Sequence, residues 1–127
     1  MDISKLPLLP NSDRMIARIG ANKNVHHNSD MGFVIVPPDQ PRVPAELKYV
    51  DESEKGPYPI PANAPIEGWP MDGPKDLAAL QAAGKGDRHV IVLDPTAKTL
   101  WEFYRGFKTA NGWKADCAVR FDLATWR

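Results

Sequence analysis

A chain of 127 residues fits one domain and can bury one core of ordinary size, but not two. Its 16 basic and 16 acidic residues cancel and no segment concentrates Lys or Arg, so the electrostatic footprint of a nucleic-acid or anionic-membrane partner is missing. No apolar run approaches the ~20 residues of a bilayer span, the first residues lack the basic and apolar regions of a signal peptide, and the lone Cys117 excludes an internal disulfide or a cysteine zinc knuckle.

Leu6 to Pro10 reads as extended, because Pro7 and Pro10 remove donors and restrict the residues before them. A short helix follows, capped by Asn11 or Ser12, with Met15, Ile16 and Ile19 in one stripe and Gly20 suited to the left-handed position that ends it. Asn22 to Gly32 is rich in turn formers and reads as a surface loop. Phe33 to Val36 is an apolar strand stopped by Pro37-Pro38, and Ala45 to Val50 a second one with Leu47 and Tyr49 on one face. Asp51 to Glu54 reads as a solvated turn.

Ten of the thirteen prolines lie between Pro37 and Pro74, a spacing that favours polyproline II over helix or ladder. Tyr58, Ile60, Ile66 and Trp69 are too apolar for a solvated linker, so this segment is expected to wrap along the body with those side chains buried. Pro74 to Ala83 reads as an external helix, with Asp76 in the first turn, Leu77 and Leu80 on one side and Gly84 beyond its end.

Arg88 to Leu93 and Thr99 to Tyr104 form a β-hairpin. Its turn starts at Asp94-Pro95, where Asp94 accepts backbone hydrogen bonds and Lys98 takes a strained position before the return strand. After the Asn111-Gly112 turn, Ala115, Cys117, Val119, Phe121 and Leu123 alternate with polar residues, which predicts a strand whose apolar face, Cys117 included, meets the core. Residues 88 to 123 should then form an antiparallel meander, with 99–104 central. The earlier strands pair against it or build a second layer. The expected fold is a mainly β, antiparallel sheet or sandwich with two short helices.

Two passages, residues 51 to 68 (DESEKGPYPIPANAPIEG) and 86 to 94 (GDRHVIVLD) followed by Leu-Trp-Glu-Phe-Tyr, resemble a group of bacterial, usually secreted proteins with no settled activity. The likeness runs from about Asn11 through Leu123. Those relatives carry extra residues between Gly32 and Phe33 and continue past the position of Arg127 into further strands. The resemblance implies an extracellular origin, and that the present chain is a portion of a larger β fold.

The likeness brings no chemistry, so function rests on side chains. His26, His27 and His89, with Asp30 or Asp87 as an oxygen ligand, are the residues from which a copper or zinc site would be built. No i, i+4 pair and no His-x-His fixes two ligands together, and the competing reading is a surface hydrogen bond for each. The second constellation is acidic: Glu67, Asp87 and Glu102. A carboxylate in apolar surroundings, as expected of Glu102 between Leu100 and Tyr104, has its charged form disfavoured and suits proton donation, while a more solvated partner serves as base or nucleophile. Such a pair fits glycoside hydrolysis. The competing reading pairs Glu102 with Arg88 or Arg120 across strands. The third constellation is aromatic. Among Tyr58, Trp69, Trp101, Tyr104, Trp113 and Trp126, Trp113 and Trp69 have neighbours typical of loop edges, and Trp69, Trp113, Tyr104 and Tyr58 are the expected contacts to a polysaccharide or oligosaccharide.

Three functions follow from these constellations. The first is an extracellular carbohydrate-directed protein, with hydrolysis by Glu102 together with Asp87 or Glu67. The second is a histidine-coordinated metal enzyme holding one transition-metal ion. The third is a noncatalytic subunit or interaction domain, in which a homodimer or a second chain covers the unpaired C-terminal strand edge.

Overall fold

The computed structural model describes residues 3–24, 26–27, 29–71 and 76–125. Pro74 and Lys75, expected in the first turn of the second helix, and Trp126, one of the expected ring residues, lie outside the described residues. The chain is mainly β, with two short helices, α1 (Ser12–Ile19) and α2 (Leu77–Ala82). Its strands are β1 (Phe33–Ile35), β2 (Ala45–Leu47), β3 (Val90–Asp94), β4 (Thr99–Tyr104), β5 (Phe107–Thr109), β6 (Gly112–Ala115) and β7 (Cys117–Asp122). They build a four-stranded sheet of order β1-β3-β4-β7 and a three-stranded sheet of order β2-β6-β5. Among the described residues no helix is long and apolar enough to cross a membrane.

The β3–β4 hairpin forms for the reasons legible in its turn: Asp94 Oδ1 accepts the Ala97 amide at 2.8 Å, and Lys98 sits at φ +52°. β4 is central, flanked by β3 and β7. Both sheets are mixed, because β1 pairs parallel with β3 and β2 pairs parallel with β6. A parallel pair needs a long crossover. The proline-rich wrap supplies it between β1 and β3, and Tyr58, Ile60 and Ile66 are buried under it. The Tyr58 ring stands edge-on to Trp101 and Phe103, with centroids 5.5 and 5.2 Å away, and its hydroxyl donates to the Glu54 carbonyl at 2.6 Å. Gln81 of α2 ties the wrap down by donating to the Ala62 and Ala64 carbonyls, both at 2.9 Å. Trp101 and Phe103 of β4, Val90 and Val92 of β3, and Trp113 and Ala115 of β6 join one core cluster, so inward side chains of both sheets meet.

The structure corrects three expectations. The segment after the hairpin is not one strand: Phe107–Thr109 and Gly112–Ala115 form a second hairpin, and the chain steps at Asp116 into the first sheet as β7. That one-residue step changes which side points inward. In β7 the core takes Ala118, whereas Val119 and Phe121 are exposed on the outer face and Cys117 is half-buried beside them. The β2 strand ends at Leu47, and Val50 belongs to a 3-10 turn.

Arg88, expected to mark the hairpin start or to pair with Glu102, is instead only 3% exposed, at φ +53°. Its guanidinium donates to the carbonyls of Leu80 (2.7 Å), Gln81 (3.2 Å), Ala83 (2.9 Å) and Gly106 (3.1 Å), and it lies 3.9 Å over the Phe107 ring. Helix α2 carries no basic residue in its last turn, so Arg88 satisfies its C-terminal carbonyls from outside. Gly84 leaves the room: a Cβ there would stand 2.4 Å from Arg88 Nη1. Burial pulls the Arg88 pKa below its ordinary value, the signature of a cation stripped of water. Arg88→Met is expected to lower the unfolding free energy by about 3 kcal/mol, because four buried carbonyls lose a charged donor at once. A urea midpoint close to wild type would show that water replaces the guanidinium.

Candidate functional site

The first sheet uses one face for the core and turns the other outward. Its register sets the outer side chains in rows across the strands. Ile35, Leu93, Leu100 and Phe121 form one row, and Phe33, Ile91, Glu102 and Val119 the next. Tyr104 and Cys117 lie beyond them, with the His89 ring 5.5 Å from that of Tyr104. Phe33 and Ile35 remain 59% and 60% exposed. The sheet is therefore open over two largely apolar rows and polar at one end.

The polar end gathers the side chains that chemistry would use. His89 Nδ1 lies 2.7 Å from Glu102 Oε1, with the two side chains 21% and 30% exposed. The ring N–H is not aligned for a hydrogen bond to that oxygen, so the contact is one of charge and proximity. Beside it, the Tyr104 hydroxyl donates to Asp87 Oδ1 at 3.1 Å. That bond and the carboxylate's charge hold the Tyr104 pKa above the ordinary tyrosine value. Glu67 clamps the wrap to this end: its amide donates to the His89 carbonyl at 2.9 Å, and its Oε2 accepts the His89 amide at 3.2 Å. One residue on, the Gly68 amide donates to the Asp30 carbonyl at 2.8 Å, which brings the loop before β1 to the same end.

Glu102, Asp87 and Glu67 thus converge on His89, although they are far apart in the chain. Their environments differ from those expected. Glu102 is not isolated among apolar groups, because His89 is its partner, and neither Arg88 nor Arg120 pairs with it. The Glu67 carboxylate is occupied by a backbone amide, which makes it a brace. The rings divide. Tyr104 borders the site and Trp69 is half-buried on the wrap, with its Nε1 buried and without an acceptor among the described residues. Tyr58 and Trp113 are 2% and 5% exposed in the core, so their faces meet protein and are closed to a ligand. A turn neighbour such as Asn111-Gly112 does not imply an exposed ring: Trp113 lies within β6, where it pairs with Ala45 and Lys108. His26 and His27 are exposed in their loop. Among the described residues no group of three or more His, Cys, Asp or Glu stands close enough together to hold a metal ion.

No family model, no curated protein and no solved structure matches the chain. What the site can do is argued from its geometry. Asp87→Asn should bring the Tyr104 pKa down towards the ordinary tyrosine value, a change read by ultraviolet absorbance titration of the phenols against a Tyr104→Phe control. Identical titrations of wild type and variant would mean that the Tyr104–Asp87 bond does not persist in solution.

Proposed function

We propose that the protein is carbohydrate-directed and that the His89 end of the open sheet is an acid–base site. The observation that supports this reading is the 2.7 Å contact between His89 and Glu102 on the outer face, with the Asp87–Tyr104 pair alongside. Proton transfer to a glycosidic oxygen needs a group that holds a proton near neutral pH, and histidine is the side chain suited to it. Here Glu102 lies against the ring, as a carboxylate does beside a catalytic imidazole. Asp87, held by the Tyr104 hydroxyl, is the second carboxylate, placed to act as base or nucleophile. The ring of Tyr104 borders the site and suits the apolar face of a sugar. An extracellular setting accords with the resemblance to secreted bacterial proteins and with a polysaccharide ligand.

A noncatalytic interaction domain is the second reading, favoured by the open rows of Phe33, Ile35, Leu100, Val119 and Phe121. The two are separated by assay on a panel of polysaccharides and oligosaccharides. On the acid–base reading Glu102→Gln and His89→Gln keep the wild-type circular dichroism and lose turnover by about 10²- to 10⁴-fold. Wild-type protein that neither binds nor cleaves any glycan, or a Glu102→Gln variant with full turnover, would remove the reading.

A further inference from the structure

Two apolar surfaces of this chain have no partner among the described residues, and they match. The first is the outer face of the four-stranded sheet. The second is α1, where Met15, Ile16 and Ile19 form a stripe, all three are exposed, and no residue of the helix is buried. Leu8 and Leu9, just before the helix, are exposed as well. A helix with one apolar stripe gains its stability from the surface that covers the stripe, because eight residues are too few for a stable helix alone.

We infer that the outer sheet face of one copy is covered by the α1 helix of a second copy, in a reciprocal two-fold dimer. Size, reach and charge support this occupant. Eight residues of helix are about 12 Å long, shorter than the roughly 20 Å of the six-residue strands β4 and β7, so the helix lies on the face without overhang. Residues 21–29 lead from α1 to Asp30, whose carbonyl the Gly68 amide holds, and nine residues can span at most about 30 Å, a reach that allows exchange between two copies. The same connection would let α1 reach its own sheet, yet in the single chain the stripe stays exposed. The polar end of the face carries Glu102 and Asp87, and the helix carries Arg18 in its last turn next to the stripe, with Arg14 one turn before. Each helix then places basic groups against the acidic end and Met15, Ile16 and Ile19 against the rows of Leu93, Leu100 and Phe121. Reciprocal exchange makes the contact twice, and so doubles the apolar area that each helix would bury alone. The dimer also sets a wall beside His89, where each chain alone has an open shelf.

The test of this inference is separate from that of the acid–base reading, because neither Ile16 nor Phe121 belongs to that site. Light scattering of the full chain over a concentration series should give twice the 14.1 kDa chain mass. Ile16→Glu on the helix and Phe121→Lys on the sheet should each return the mass to that of one chain with unchanged circular dichroism, since both side chains are exposed. A wild-type mass of one chain at every concentration overturns the inference and leaves α1 either solvated or folded onto its own sheet. A dimer that survives Ile16→Glu overturns it too, since sheets joined face to face would respond to Phe121→Lys alone.

Discussion

The architecture depends on one buried cation. Arg88 has no carboxylate partner among the described residues; its charge is spread over carbonyls of a helix end and a strand connection. Helix α2 is six residues long and would have little reason to hold its place. The guanidinium fixes its C-terminus against Phe107, and Gln81 on the same helix then grips the wrap at Ala62 and Ala64. Removing water from a cation is costly, and here several charge-assisted hydrogen bonds and a ring face offset the loss. The residue after Arg88 is His89. Arg88 itself takes the left-handed conformation, so the group that locks the scaffold is the immediate chain neighbour of the group around which the polar side chains collect.

The wrap contributes more than coverage. It supplies the crossover that makes β1 and β3 parallel, buries Tyr58, Ile60 and Ile66, and returns through Glu67 to bond both the amide and the carbonyl of His89. The histidine is held from three directions: Glu67 on its backbone, and Glu102 and the Tyr104 ring on its imidazole. A polar cluster on a half-exposed sheet face is positioned by rigid strands rather than by loops, the arrangement that keeps reacting groups in register.

Much of this was legible in the residues, for local reasons. The turn at Asp94 and Lys98, the ending of α1 at Gly20 and the burial of Tyr58, Ile60 and Ile66 follow from backbone preferences and from apolar side chains too large to leave in water. The inversion of β7 was not legible, because alternation gives the period of a strand and is silent on which side is inside; Val119 and Phe121 read the same facing core or solvent. The step at Asp116 that decides it moves the chain between sheets, a tertiary event. Trp113 was misplaced for a related reason: its turn is local, but the strand that buries it comes from Ala45–Leu47, far upstream. The pairing of His89 with Glu102 became visible only with the hairpin register, since the sequence offered Arg88 and Arg120 for that carboxylate. The role of Arg88 had one faint signal, a short helix with no basic residue near its C-terminus and a glycine just beyond it.

The parallel pairing of β1 also sets an order of events during synthesis. Phe33 must wait for Ile91, and Ala45 for Trp113, so both early strands leave the ribosome long before their partners exist. The hairpin of β3 and β4 needs no such delay and closes locally. The nascent chain therefore carries the unpaired backbone of β1 until Ile91 to Leu93 have been made. Pro37 and Pro38, set immediately after β1, and Pro44, immediately before β2, are donors removed from those two waiting edges, which limits their pairing with neighbouring chains until the second half of the fold arrives.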